Sequence, residues 1–145
     1  GSLQECFPYL EIQTTTPDDI SSIKRDIEIL IVEDNQMNLK ILGTMLESLG
    51  YSFDAVENGY EGFLKAKNKH YDLIFMDLFM PEMDGFEASR RIIETDKTVL
   101  IAAFTADNLP ETRRKAELSG IREFISKPVR IEELKRLFLK YFKAK

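Results

Sequence analysis

At 145 residues, with 43% hydrophobic and 31% charged content, the chain fits one globular domain of ordinary composition with some spare length. Its net charge of −5 argues against a nucleic-acid groove or an anionic membrane as a direct partner, and no apolar run approaches the roughly 20 residues that span a bilayer. The lone Cys6 excludes an intrachain disulfide or a Cys-based metal site, and the lone His70 leaves no histidine cluster for zinc and no Ser-His-Asp triad. No charged-then-apolar leader opens the chain, so a cytoplasmic location is expected.

Gly1-Ser2 reads as a cloning remnant, and residues 1–26 differ in character from the rest of the chain. They are expected to form a linker or extension, with Thr16 or Asp18 as the cap of a short helix through Ile20 and Ile23. Residues 27–145 then form one domain. Ile29-Leu30-Ile31-Val32 is a short apolar strand, and Met37, Leu39, Ile41, Leu42, Met45, Leu46 and Leu49 make a helical stripe over 36–49, stopped by Gly50. Tyr51–Val56 reads as a more polar strand nearer an edge, and Asn58-Gly59 turns into a helix ending near Asn68. Leu73-Ile74-Phe75-Met76 is a buried strand ending at Asp77, and Asp84 caps a helix to about Thr95. Val99–Phe104 is the fourth strand, 108–119 a helix closed by Gly120, and Glu123-Phe124-Ile125 the fifth strand. The last helix carries Ile131, Leu134, Leu137, Phe138 and Tyr141 on one face.

Continuously apolar strands alternating with helices predict an α/β fold: a doubly wound five-stranded parallel sheet with five helices. Strand order 2-1-3-4-5 sets the first and third strands side by side at the switch point, where ligands bind beyond the carboxyl ends of strands. The residues just past the strands are Glu33 and Asp34, Asp77, Thr105 and Lys127. Three carboxylates in one crevice repel one another and raise at least one pKa. A hard divalent cation relieves that repulsion, and an all-oxygen set suits Mg²⁺ with a phosphate. Lys127 offers a point charge to an anion or to Asp77, and Thr105 a hydroxyl. Such a site can neutralise an incoming phosphoryl group, with Asp77 as the attacking carboxylate.

With Val32-Glu33-Asp34-Asn35, Met76-Asp77, Met80-Pro81-Glu82-Met83-Asp84-Gly85, Phe104-Thr105-Ala106 and Ser126-Lys127-Pro128 in this order, the chain from Ile27 to about Phe142 resembles a receiver domain of the two-component response regulators. The resemblance implies a flavodoxin-like receiver fold and a phosphoacceptor, Asp77, charged from a phosphohistidine on a histidine kinase or histidine phosphotransfer protein. It implies Mg²⁺ held by Glu33, Asp34, Asp77 and the backbone carbonyl of Phe79. Thr105 and Lys127 would contact the phosphoryl oxygens, Thr105 and Phe124 would form the switch, and the Lys127–Pro128 peptide is often cis in such proteins. The wording around Glu33-Asp34-Asn35 and Asn38 is similar to receivers of hybrid sensor kinases, so the parent is expected to be either such a kinase or a stand-alone regulator.

Phe79, bulky and two residues past Asp77, is expected to cover the site and slow water attack, so that Phe79→Ala speeds autodephosphorylation. The helix of 108–119 shows a thin apolar face, mainly Leu109, Ala116 and Leu118, which suits an element that shifts between two arrangements. The expected output surface is 108–142, with Leu139 as a contact and a homodimer through that face as one use of it. No output domain is expected after Phe142, and His70 is given a loop role. Two alternatives stand beside this reading. One is a pseudo-receiver that binds proteins without phosphorylation. The other is an aspartate-nucleophile phosphohydrolase, whose Asp-x-Asp pattern is broken here by Phe79.

Overall fold

The structure, a computed structural model, describes residues 22–144. Its elements are β1 (Ile29–Val32), α1 (Gln36–Ser48), β2 (Asp54–Val56), α2 (Gly59–Asn68), β3 (Leu73–Asp77), α3 (Gly85–Thr95), β4 (Leu100–Thr105), α4 (Pro110–Leu118), β5 (Glu123–Ser126) and α5 (Ile131–Tyr141). The strands form one parallel sheet in the order β2-β1-β3-β4-β5, as the strand–helix alternation predicts. The described chain groups into two compact units, one of Asp26–Arg130 and one that includes 22–25 and α5.

Within the larger unit the apolar runs work as strands because both faces are buried. Leu30, Val32, Ile74, Met76, Ile101 and Ala103 join a core with Phe86, Ala88 and Ile92 of α3 and Ala116 of α4. The alternate positions Ile29, Ile31, Leu73, Phe75, Leu100, Ala102 and Phe104 are buried as well. Register sets Val32 opposite Met76 and Asp77 opposite Phe104, so the central strands end level with one another. Three helices start on side-chain caps: Asn35, Asn58 and Asp84 accept from the backbone N–H of Asn38, Glu61 and Glu87 at 2.9, 2.8 and 2.9 Å. No residue with a Cβ fits at Gly85, since the added atom would strike the Asp77 carbonyl oxygen and lie 2.8 Å from Leu78 Cα. Gly85 N donates to Leu78 O at 2.9 Å, closing the loop after β3 back onto the strand. The Lys127–Pro128 peptide is cis.

Three expectations need correction. The second strand is shorter than Tyr51–Val56, because only Asp54–Val56 pair with β1; Tyr51 is nonetheless buried. The helix expected from 108 starts at Pro110, whose ring disfavours helical geometry in the preceding residue, so Asn108 and Leu109 stay outside it. Its buried face is Thr112 and Ala116, while Leu109 and Leu118 are 54% and 80% exposed.

In the second unit, α5 buries Leu134, Leu137 and Phe138, whereas Ile131, Leu139 and Tyr141 are half-buried. Ile23 is buried and forms an antiparallel bridge with Lys143, so it is not part of the expected helix. Thr16, Asp18 and Ile20 lie outside the described residues. Among the described residues no helix is long and apolar enough to cross a membrane.

Candidate functional site

The carboxyl ends of β1, β3, β4 and β5 carry Glu33, Asp77, Thr105 and Lys127, and parallel strands ending level with one another bring all four together. Above them lies an open cleft of about 580 Å³ lined by Asp34, Asn38, Asp77, Phe79, Thr105, Ala106, Asp107 and Lys127. Carboxylate oxygens of Glu33, Asp34 and Asp77 lie within 4.8 Å of one another. Glu33 and Asp77 are buried and Asp34 is exposed, so the cluster has a dry floor and a wet rim.

Among the described residues Lys127 is the one cation lining the cleft, and its ammonium favours Glu33: Nζ is 2.8 Å from Glu33 Oε1 and 3.5 Å from Asp77 Oδ1. Glu33 Oε1 has no aligned hydrogen bond, so the nearby charge alone answers it, while Oε2 accepts from Asn35 N at 3.0 Å. Asp77 Oδ1 accepts a long bond from Phe79 N at 3.3 Å. Burial first, and the Glu33 charge second, push the Asp77 carboxyl up to about 7, with Lys127 opposing. A cluster of three carboxylates, whose buried Glu33 Oε1 is met by the Lys127 charge and by no aligned hydrogen bond, has the hard-oxygen composition that Mg²⁺ takes.

Every residue picked out at a strand end is therefore in the cleft or directly beneath it. Thr105 is buried, and its Oγ1 accepts from Asp107 N at 3.1 Å. Phe79 stands at the rim, 55% exposed, with its ring edge-on to Phe86 at 5.8 Å. Phe124 is half-buried under the Arg113 guanidinium, 4.4 Å from its ring centroid. Its register partner Ala103 is two residues before Thr105, so Phe124 and Thr105 share a sheet face. Sequence reasoning missed Asp107. Its signal was an Asp three residues before a helix-opening proline, an arrangement that turns the chain. A second groove, of about 460 Å³, runs along α2 past Val56, Leu64 and Lys69, away from the carboxylates.

Residues 29–138 match the family model of the response regulator receiver domain. The chain is 39% identical over 124 residues to hybrid signal transduction histidine kinase L of Dictyostelium discoideum, covering 80% of this chain and 7% of that protein. It thus spans only a small part of the curated relatives it matches. Among solved structures it is similar to the receiver domain of the sensor histidine kinase PA1611 of Pseudomonas aeruginosa, with 35% identity, a TM-score of 0.74 and coverage of 79% of this chain and 96% of that one. That receiver was solved with a magnesium ion coordinated in the active site cleft. It is also similar to the receiver domain of Ssk1 of Saccharomyces cerevisiae, solved with the histidine phosphotransfer protein Ypd1, at 34% identity, a TM-score of 0.76 and coverage of 83% and 90%. The parallel sheet, the strand-end cleft and these matches lead to one conclusion: the chain belongs to the response regulator receiver domain family of two-component signalling.

Proposed function

We propose that Asp77 is the phosphoacceptor of a receiver domain spanning residues 27–145, preceded by a linker over 1–26. The observation that carries the reading is a buried carboxylate at the end of β3, crowded by two more acids, facing Lys127 at 3.5 Å and open to a cleft. Nothing in the packing of the strand needs that charge, and it raises the energy of the free protein. The donor is a phosphohistidine on a histidine kinase or histidine phosphotransfer protein.

An Asp77 oxygen attacks phosphorus, the phosphorus–nitrogen bond breaks, and its electron pair stays with the departing imidazole. Lys127 leaves Glu33 to meet the phosphoryl oxygens, and the Thr105 hydroxyl donates to one of them. Glu33, Asp34, Asp77 and the Phe79 carbonyl would hold Mg²⁺, which supplies charge neutralisation for three acids and an incoming anion. Water attack on phosphorus later returns the free carboxylate and inorganic phosphate, and Phe79 at the rim narrows that approach. Phosphorylation adds charge and acceptors beside Thr105, and the weakly buried α4, with β5 and Phe124, is the part that responds.

Incubation with acetyl phosphate and Mg²⁺, followed by intact mass, tests this reading. One phosphate adduct is expected on the wild type and none on Asp77→Asn. No adduct on the wild type would favour a phosphorylation-independent binding module, and an adduct surviving Asp77→Asn would move the acceptor elsewhere.

A further inference from the structure

The N-cap of α4, Leu109, has no side chain that can accept a hydrogen bond, and the cap comes from two residues upstream. Asp107 Oδ1 accepts from Leu109 N at 2.9 Å, and Oδ2 accepts from the hydroxyl of Thr112, a buried residue of the first turns, also at 2.9 Å. The backbone N–H of the same Asp107 donates to Thr105 Oγ1 at 3.1 Å. One residue thus carries three hydrogen bonds that run without a break from the hydroxyl in the cleft to the body of a helix. Elsewhere α4 is thinly held. It buries Thr112 and Ala116, and its polar neighbours are long or exposed: Lys115 over Phe86 and Arg113 over Phe124, both at 4.4 Å, and Arg90 to Ser119 at 3.5 Å.

We propose that Asp107 is the positioning residue that makes the start of α4 depend on the state of Thr105. This rests on Asp77 being the phosphoacceptor. The Thr105 oxygen can serve the Asp107 amide only while its hydroxyl stays in the present rotamer. When it turns toward a phosphoryl oxygen, the amide of half-buried Asp107 loses its acceptor and must be met again by water or by a shifted loop. Asp107 also lines the cleft, so its carboxylate, though turned toward α4, feels the charge arriving on Asp77 as a repulsion. Both effects pull Asp107 from its present place, and the caps on Leu109 and Thr112 go with it. The first turn of α4 then loosens and the helix is free to settle differently.

Hydrogen exchange on the full chain tests the tether with no phosphodonor at all. Thr105→Val, which removes the oxygen and keeps the shape, and Asp107→Ala should each speed exchange of the amides over 109–113 by about tenfold. The double variant should be no faster than either single one, because both cut the same line. Asp107→Asn keeps an acceptor for Leu109 N and should exchange like the wild type. Independent, multiplying effects of the two substitutions would overturn the proposal, as would an Asp107→Ala protein that exchanges like the wild type. Acetyl phosphate with Mg²⁺ then adds a second reading. It should speed exchange over 109–113 in the wild type and leave Asp107→Ala nearly unchanged, with intact mass taken on the same samples. An adduct on Asp107→Ala together with a full wild-type response in α4 would sink the tether and leave the Asp77 assignment standing. Absence of an adduct on the wild type would sink that assignment, while the donor-free comparison still decides the tether.

Discussion

The two ends of the sheet handle acidic residues in opposite ways. At the amino ends of the strands, Glu28, Asp54, Asp72 and Asp96 share Lys69 and the His70 imidazole, which is a cation only when protonated, and each finds partners. Asp54 accepts from the buried Tyr71 hydroxyl at 2.5 Å and from Lys69 at 3.1 Å, and these bonds hold its pKa below the usual value. Asp96 is lowered likewise, by the Thr98 hydroxyl and amide first and by His70 after them. At the carboxyl ends, Asp77 receives one long amide bond and a share of Lys127, and its carboxyl rises to about 7. The contrast is one of donors rather than of cations. One end is a finished network that stabilises the fold; the other is left short of donors.

Breaking each end separately should display that difference. The largest effect belongs to Lys127→Ala, which strands the fully buried Glu33 charge: a loss of about 3 kcal/mol is expected in denaturant melts, partly restored by Mg²⁺. Asp77→Asn should do the reverse. The folded-state carboxyl binds its proton more tightly than an unfolded one, so wild-type stability falls as pH rises from about 4 to about 7 and then levels off. The variant should therefore be more stable without metal by about 2 kcal/mol above neutrality, with the gain fading toward about pH 4. A destabilised Asp77→Asn would mean that the cleft is as satisfied as the opposite end. There, Tyr71→Phe should cost about 1 kcal/mol, since Asp54 keeps Lys69. The smallest effect is His70→Gln. Asp96, then Asp72, raise the imidazole pKa, so its contribution is complete below the unfolded value and disappears as pH climbs through the folded one. For so exposed a pair the loss should be about 0.3 kcal/mol near pH 6 and nil near pH 9, read from thermal melts at the two pH values.

Much of the carboxyl end was legible in the sequence because one rule, the polar residue just past an apolar strand, found Glu33, Asp34, Asp77, Thr105 and Lys127 together. The helix start at Asp84 was legible as a cap, which acts within three residues, and the structure adds Asn35 and Asn58 as caps of the same kind. The amino-end network was not. Asp54 and Tyr71 are 17 positions apart and Glu28 and Asp72 are 44 apart, and no local period links such pairs. Sequence reasoning likewise set Lys127 toward Asp77 or an anion, whereas burial of Glu33 makes that acid the closer partner. The buried face of α4 was misread because hydrophobicity was used as its marker. Thr112 faces inward on account of its bond to Asp107, and Leu118 faces outward despite its side chain.

Gly85 brings no functional group to the cleft, and yet the backbone of Asp77 is pressed against the place where its side chain would be. With Asp77 as the proposed phosphoacceptor, the direction of its side chain is therefore referenced to a residue eight positions downstream, by close packing and by the Gly85 N to Leu78 O hydrogen bond. A methyl group at that position would act as a wedge behind Asp77 and displace its backbone. On the proposed assignment, Gly85→Ala is expected to cost stability and phosphoryl transfer together, because the backbone carrying Asp77 must move to admit the methyl group.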